Sequence, residues 1–363
     1  MTHQALSNGV LGLKAVVLAA GEGRRLEPLT RRRPKPLLPV AGVPLIRRIA
    51  EQLRATGVGE ICVVTGQGGG AVMEALKGVE NLAVSQAVQE RPLGTAHALL
   101  AAKNFIEGEG RFLLIYGDIF LDDAALVNLT QRAASTYDGC ILGVLREDPR
   151  RFGVLQEENG ILVGVREKPQ DISGSALVNG GVYLLPSEIL DAAERIGPSP
   201  RGEYELTDAL VELVKRGRRL AVYKHTGGYW LDVGTLGHYM EANLLALSEL
   251  SRTRPSVPAQ VLSSLAVSGS YIDEGAKVGR GAVASRAVVM QGSEIGDESV
   301  VESSVLLEGA LVKPRSRLVY AIVAEDGVVG EESLLIGEAE RPVVISPGSS
   351  TSPRVRAQPG DVF

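Results

Sequence analysis

Cysteine is scarce: Cys62 and Cys140 are the only two in 363 residues. Both fall in apolar, β-like runs, which suits buried packing residues rather than a disulfide, a metal site or a nucleophile. So low a count fits the cytoplasm. Long apolar runs are missing as well. None reaches the roughly 18 residues of a membrane span, and residues 1–12 are polar and lack the apolar centre of a signal peptide. A basic excess is also absent, with 38 Lys and Arg against 43 Asp and Glu and a net charge of −5. That balance gives no nucleic-acid footprint. The run Arg31-Arg32-Arg33 reads as a solvated face, with at most a role in steering anionic substrates. His97, His225 and His238 show no ligand spacing, and no Ser/His/Asp or Cys/His arrangement stands out.

Against these absences stands one dense stretch. An apolar run, Lys14-Ala-Val-Val-Leu18-Ala-Ala20, ends in a small turn, Gly21-Glu-Gly23. Arg24 and Arg25 follow at once, and Lys35 stands between Pro34 and Pro36. Glycine lets backbone N–H groups approach an anion closely, and the cations beside it neutralise phosphate charge. The stretch reads as a triphosphate-binding loop after a first strand. Two commoner loops fail on spacing. No Gly-x-x-x-x-Gly-Lys-Ser/Thr string occurs. The third glycine of a dinucleotide Gly-x-Gly-x-x-Gly is Leu26 here, and the second strand, Ile61 to Gly66, ends without an acid. A dinucleotide-dependent oxidoreductase is therefore disfavoured.

The length suggests about two to three domains. From 13 to about 144, strand candidates at 13–19, 60–65, 82–87, 111–116 and 139–144 alternate with helical patterns at 43–56, 69–77, 95–104 and 122–135. That alternation implies an α/β fold with a mostly parallel sheet covered on both faces. Ligands of such sheets bind beyond the carboxyl ends of the strands, which places the glycine loop and Asp118 at one cleft. From 152 to 234, strands at 153–156, 161–166, 177–185 and 219–224 mix with helices at 187–195 and 205–216. A helical run from Leu236 to Glu249 closes the segment. The boundaries expected are a tail at 1–12, a first domain at 13–250, a linker at 251–258, a second domain at 259–340 and a flexible tail at 341–363.

The second domain carries a repeat. Ile272, Val278, Ala284 and Met290 recur every six residues, and after a one-residue slip Ile295, Val301 and Leu307 continue. A period of six implies one short strand per face of a triangular parallel β-helix rather than an antiparallel β domain. The repeat degrades after Lys313 and resumes near Val329 and Leu335.

Further motifs lie at strand ends. Gln89 precedes Leu93-Gly94-Thr95-Ala96, where Thr95 is placed to cap a helix. Leu113-Leu-Ile-Tyr-Gly117-Asp118 is a buried strand ending in an acid, and Trp230-Leu-Asp232-Val-Gly234 is a second such end. Glu167-Lys168-Pro169, Asn179-Gly-Gly181 and Arg201-Gly-Glu203-Tyr-Glu205-Leu-Thr-Asp208 complete the set.

With the glycine loop and the Lys-Pro strap, these motifs resemble the sugar-phosphate nucleotidylyltransferases over about 14–250. The resemblance implies a Rossmann-like nucleotidyltransferase domain followed by a hexapeptide-repeat, left-handed β-helix. It implies a reaction between a nucleoside triphosphate and a sugar 1-phosphate. Arg25, Lys35, Asp118 and Asp232 would be catalytic, the two aspartates also holding Mg²⁺. Leu18, Ala20, Gly21, Gly23, Gln89, Gly94 and Thr95 would bind the nucleotide, the Gln89 amide reading the base edge, with Gln86 as its competitor. Glu167, Lys168, Asn179 and Gly153 would take the sugar phosphate. Asp208 is expected to be structural. Where the family often has Asn after Gly-Asp, this chain has Ile119. Some members carry out acetyl transfer with a histidine on the β-helix, but no histidine follows His238, which argues against that activity here. The expectation is uridylyl or thymidylyl transfer to a glucose-type phosphate by a homo-oligomer assembled through the β-helix. Guanylyl transfer to mannose 1-phosphate is an alternative. So is a silent regulatory subunit resembling those of a translation-initiation exchange factor.

Overall fold

A computed structural model describes residues 12–132, 137–253 and 267–363. The described residues form two compact units. One comprises 12–21, 45–132 and 137–231. The other comprises 22–44, 232–253 and 267–363. The strap 22–44 is grouped with 232–363 in the second of these units. Most of the linker expected at 251–258 lies outside the described residues, while 251–253 extend the helix Leu236–Thr253.

The first unit is built on a nine-stranded sheet. Lys14–Ala19 is central, flanked in parallel by Glu60–Thr65 and Arg111–Tyr116, and Ala83–Val88 adds a parallel edge. The inner strands are apolar along their length because helices cover both faces, and Val16, Val64, Leu114 and Tyr183 are buried together in the core. Beyond Arg111–Tyr116 the sheet is mixed. The long strand Ala176–Pro186 inserts antiparallel between Arg111–Tyr116 and Gly139–Arg146. Leu220–His225 runs parallel to Gly139–Arg146, and the hairpin of Gly153–Glu158 and Ile161–Glu167 forms the far edge. The sheet is therefore mostly parallel, with Ala176–Pro186 and Ile161–Glu167 running against the other strands. The four parallel strands end on one side, so the turns after Ala19, Thr65, Val88 and Tyr116 gather at one edge.

The second unit is a three-sided parallel β-helix. Its short strands form three parallel sheets, as a left-handed β-helix requires. Paired positions repeat every 17 residues: Ile272, Val289, Leu306 and Val323 on one face, Val278, Ile295, Val312 and Val329 on the next, and Ala284, Val301, Leu318 and Leu335 on the third. Each coil is thus two six-residue steps and one of five. The single slip expected from the sequence recurs in every coil, and the paired positions are Val289 and Leu306 rather than Met290 and Leu307. The repeat does not degrade after Lys313.

Each of the three corners takes one residue with left-handed backbone per coil. The series are Gly269, Arg286, Ser303 and Tyr320; Gly281, Glu298, Arg315 and Glu332; and Gly292, Gly309 and Asp326. A buried serine ladder ties coils together, with Ser316 Oγ donating to Gly330 O and accepting from Ser333 N–H. The expected flexible tail at 341–363 is instead part of this unit. Val343–Ile345 pairs with Ala321–Val323, Arg356–Ala357 pairs with Leu334–Ile336, and Val344 bridges Val362. Its Pro, Ser and Gly residues make turns. Cys62 and Cys140 are free and buried, as expected.

Candidate active site

Within the first unit, backbone geometry gathers most of the expected residues at one sheet edge. Leu18 is buried and its carbonyl accepts Gly117 N–H at 2.8 Å, which fixes the turn carrying Asp118. Ile119 is buried and starts the strand Ile119–Leu121, so the position often polar in the family is core here. Ala20 O lies near Gly66, and Gly21 is exposed, with open space where a Cβ would stand.

Gln89 is buried with its amide fixed. Its Nε2 donates to Gly94 O and to His97 Nδ1, each at 3.0 Å. Both N–H bonds are spent, so Oε1 is what the amide can offer a ligand. Gly94 has φ +115°, and a Cβ there would meet Tyr204 O at 2.5 Å, so only glycine fits. Thr95 is not a cap. It is the first residue of the helix Thr95–Ala101, and its Oγ1 accepts Leu206 N–H at 2.8 Å. Gln86, the competitor, is exposed and donates to Thr65 Oγ1.

The pairing of Val178 with Val154 brings Gly153, Glu167 and Asn179 close together. Glu167 Oε2 accepts from Thr207 Oγ1 at 3.0 Å, and Oε1 lies 3.6 Å from Arg201 and 3.7 Å from Lys168 Nζ. Gly153 makes room for it: a Cβ there would stand 2.9 Å from Glu167 Oε2. Lys168 has φ +44°, a strained backbone for a lysine, such as persists at functional sites. Asn179 is engaged locally, donating to Tyr183 Oη at 2.6 Å and accepting from Gly181 N–H. Gly181 has φ +69°, and a Cβ there would meet the Tyr116 ring at 2.9 Å. Arg201 pairs with Glu205. Burial first, and then the charge of Glu167, raise the pKa of Glu205 and that of Asp208. The roles of Arg201 and Thr207 beside Glu167 were not signalled by any spacing.

Within the second unit lie Gly23, Arg25, Lys35 and Asp232. Gly23 is left-handed, φ +70°, and a Cβ there would press on Lys35 Cβ at 2.9 Å. Thr30 Oγ1 closes the loop on Gly23 O at 3.1 Å. Lys35 is buried, its Nζ 4.0 Å from Asp232 Oδ1, whereas Arg25 is exposed. A Cβ at Gly234 would lie 2.9 Å from both Arg25 Nη2 and Asp232 Oδ1. Gly234 is therefore the small residue beside which Arg25 and Asp232 meet, with Lys35 reaching the same Asp232 carboxylate. His238 Nδ1 donates to Asp232 O at 2.6 Å, fixing that backbone. The basic run divides: Arg31 is exposed beside Glu27, whereas Arg33 is enclosed between Glu308 and Glu325 and is not a solvated face.

Carboxylate oxygens with nearby cations can position phosphates and hold a hard divalent ion. Among the described residues no group of three or more His, Cys, Asp or Glu could cage a metal. Asp118 and Asp232, each taken by itself, offer the kind of ligand magnesium accepts, since it takes one or two carboxylates and completes its shell with phosphates and water. Among the described residues no helix is long and apolar enough to cross a membrane.

The profile of the nucleotidyl transferase family matches residues 14–249. The chain is 33% identical over 270 residues to the bifunctional protein GlmU of Methanococcus maripaludis, covering 73% of this chain and 62% of that one. It is 34% identical over 283 residues to a glucose-1-phosphate thymidylyltransferase of Streptomyces griseus, covering 76% and 78%. A crystal structure of UDP-glucose pyrophosphorylase with UDP-glucose superposes with TM-score 0.57 at 25% identity, covering 66% of this chain and all of that one. The chain thus spans less than two thirds of the length of the GlmU relative.

Proposed function

From a chain that belongs to the nucleotidyl transferase family, we propose a sugar-1-phosphate nucleotidylyltransferase that forms a nucleoside diphosphate sugar and releases pyrophosphate. The observation that carries this reading is that Arg25, beside Gly234, and Lys35 both stand close to the Asp232 carboxylate. A sugar-phosphate oxygen attacks the α-phosphorus, the bond to the β-phosphate oxygen breaks, and pyrophosphate leaves. A phosphate monoester with a second pKa of about 6 is already mostly dianionic near neutrality, so no strong base is needed. What the reaction needs is two polyanions held together, and hence cations fixed in place.

Lys35, buried and held by its strap, steadies the phosphates of the triphosphate. Arg25, exposed, meets the charge that develops on the α-phosphoryl group and the leaving pyrophosphate. Asp118 and Asp232 would hold Mg²⁺, which when bound supplies charge neutralisation for the phosphates. Glu167 accepts from sugar hydroxyls, and Lys168 binds the sugar 1-phosphate as a compact cation. The second unit would also mediate self-assembly.

The fixed Gln89 amide favours a base with a ring N–H facing it. Uracil, thymine and guanine offer one, whereas cytosine and adenine present acceptors. We take uridylyl or thymidylyl transfer to a glucose-type phosphate as the favoured reaction. The test is a matrix of five triphosphates against glucose, N-acetylglucosamine, galactose and mannose 1-phosphates, read as pyrophosphate release. UTP and dTTP should lead, with ATP and CTP slowest. GTP with mannose 1-phosphate leading would establish the guanylyl alternative. No turnover with any pair would refute the enzyme and favour a regulatory subunit.

A further inference from the structure

Arg33 is the one member of the basic run enclosed on both sides. Its Nη2 lies 2.7 Å from Glu308 and its Nε 2.9 Å from Glu325, with a fifth of its side chain exposed. Burial opposes its charge, but the hydrogen bond from Arg33 to Glu308 and the two carboxylate charges outweigh that and raise its pKa. Glu308 and Glu325 are 17 residues apart, so they are the same position on successive coils, each just before a left-handed corner residue, Gly309 and Asp326. Parallel strands stack about 4.8 Å apart, a spacing that offers two carboxylates to two edges of one guanidinium. The repeat itself builds the pincer. Arg32 meets Asp326 at the same corner, at 3.3 Å.

The strap is tied again beyond Lys35. Tyr239 Oη donates to Pro39 O at 2.7 Å, Asn243 Oδ1 accepts Ala41 N–H at 2.9 Å, and Gly42 lies against the Tyr271 ring. Between the ties stand Pro34 and Pro36, whose rings restrict the backbone. A shift at Arg33 therefore passes to Lys35 instead of being absorbed. We propose that Arg33 is a positioning residue for nucleotidyl transfer, and that the β-helix serves the reaction by clamping the strap that carries Lys35. This rests on the transfer reading above and gives the β-helix a task besides assembly.

The test is steady-state pyrophosphate release by Arg33→Met and by the triple variant Arg33→Met/Glu308→Gln/Glu325→Gln, in the wild-type and the Lys35→Ala backgrounds. The triple variant leaves no charge buried without its partner, so it should fold where the single one does not. A misplacement of about 1 Å can cost ~10²-fold in rate. We expect kcat to fall ~10- to 100-fold, KM for the triphosphate to rise with it, KM for the sugar 1-phosphate to change far less, and thermal unfolding of the triple variant to stay cooperative. In Lys35→Ala the same substitutions should cost almost nothing more, because they act through Lys35. Wild-type kcat in a folded triple variant, or a full multiplicative loss on top of Lys35→Ala, would overturn the proposal. A wild-type chain that releases pyrophosphate from no substrate pair overturns the transfer reading and this inference with it. Active wild type with an indifferent triple variant overturns this inference alone.

Discussion

Gly234→Ala separates stability from activity. The φ of Gly234 lies outside the left-handed range, so alanine fits the backbone, and the loss of unfolded-state freedom should stabilise the chain by about 0.4–1 kcal/mol. The three atoms nearest the new Cβ are all side-chain ends, Arg25 Nη2 and Asp232 Oδ1 at 2.9 Å and Asp232 Oδ2 at 3.3 Å. Ordinary contact begins near 3.4 Å, so each group must retreat by roughly half an ångström. That retreat is cheap for folding and costly for chemistry. Displacing one donor from the developing charge costs about 2.7–4 kcal/mol, or ~10²–10³ in kcat. The assay is pyrophosphate release beside differential scanning calorimetry on the same preparations. The expected result is at least a ~100-fold loss of kcat with an unchanged or slightly raised Tm. Near-normal turnover in a folded Gly234→Ala would refute the placing of Arg25 and Asp232 at the reacting phosphorus. A Tm drop matching the activity loss would refute the steric reasoning.

Asp118→Asn and Asp232→Asn should each lose most turnover while melting as wild type; near-normal rates in both would sink the metal assignment. Asp208 has its pKa raised, chiefly by burial. Its folded form binds the proton more tightly than an unfolded aspartate of about 3.9, so its contribution to stability is lost as pH rises through the folded value. Asp208→Asn should therefore raise the urea midpoint at pH 7 and lose that gain as pH falls below about 4; a gain independent of pH would contradict the burial argument. Ser316→Ala removes a donor to Gly330 O and an acceptor for Ser333 N–H, at a cost of about 1–3 kcal/mol. The exposed Ser352→Ala should cost less than about 0.5 kcal/mol, and equal midpoints would show that the ladder carries no load.

Local chemistry was legible and distant pairing was not. The strand Lys14–Ala19, its glycine turn and the alternation up to Arg146 follow from apolar runs and punctuation that act within a few residues. The direction of Ala176–Pro186 does not, because an apolar run buried on both faces reads the same in either sense. The anchoring of the strap was not legible either, because the partners of Arg33, Glu308 and Glu325, lie some 275 and 292 residues away. The six-residue period was visible, but its true unit of 17 was hidden because Arg286, Glu298 and Asp326 take corners where glycine would have advertised a turn. The last coil was misread for a related reason. Leu335 and Ala357, paired across it, are 22 residues apart instead of 17, and the extra residues broke the period. At the site, Gly23, Gly94 and Gly181 stand where a Cβ would press on Lys35, Tyr204 and Tyr116. Thr95 fitted a cap in sequence, but its hydroxyl is taken by Leu206, a partner no local rule supplies.

The difference in burial between the two cations assigns them different work. Lys35 is 8% exposed, gripped by its strap and beside Asp232. Its charge is set before substrate arrives, and it costs no reorganisation during the reaction. Arg25 is exposed on a short helical turn, where Leu26 N–H and Thr30 Oγ1 both donate to Gly23 O. A solvated arginine loses side-chain freedom when it engages a ligand, and that cost is best met by an interaction that strengthens as charge develops. Removing Lys35 should therefore weaken triphosphate binding and turnover together, while removing Arg25 should fall mainly on kcat. The strap combines a fixed cation for the ground state with a free one for the transition state. That explains why its anchoring is concentrated around Lys35 and leaves Arg25 at the open end.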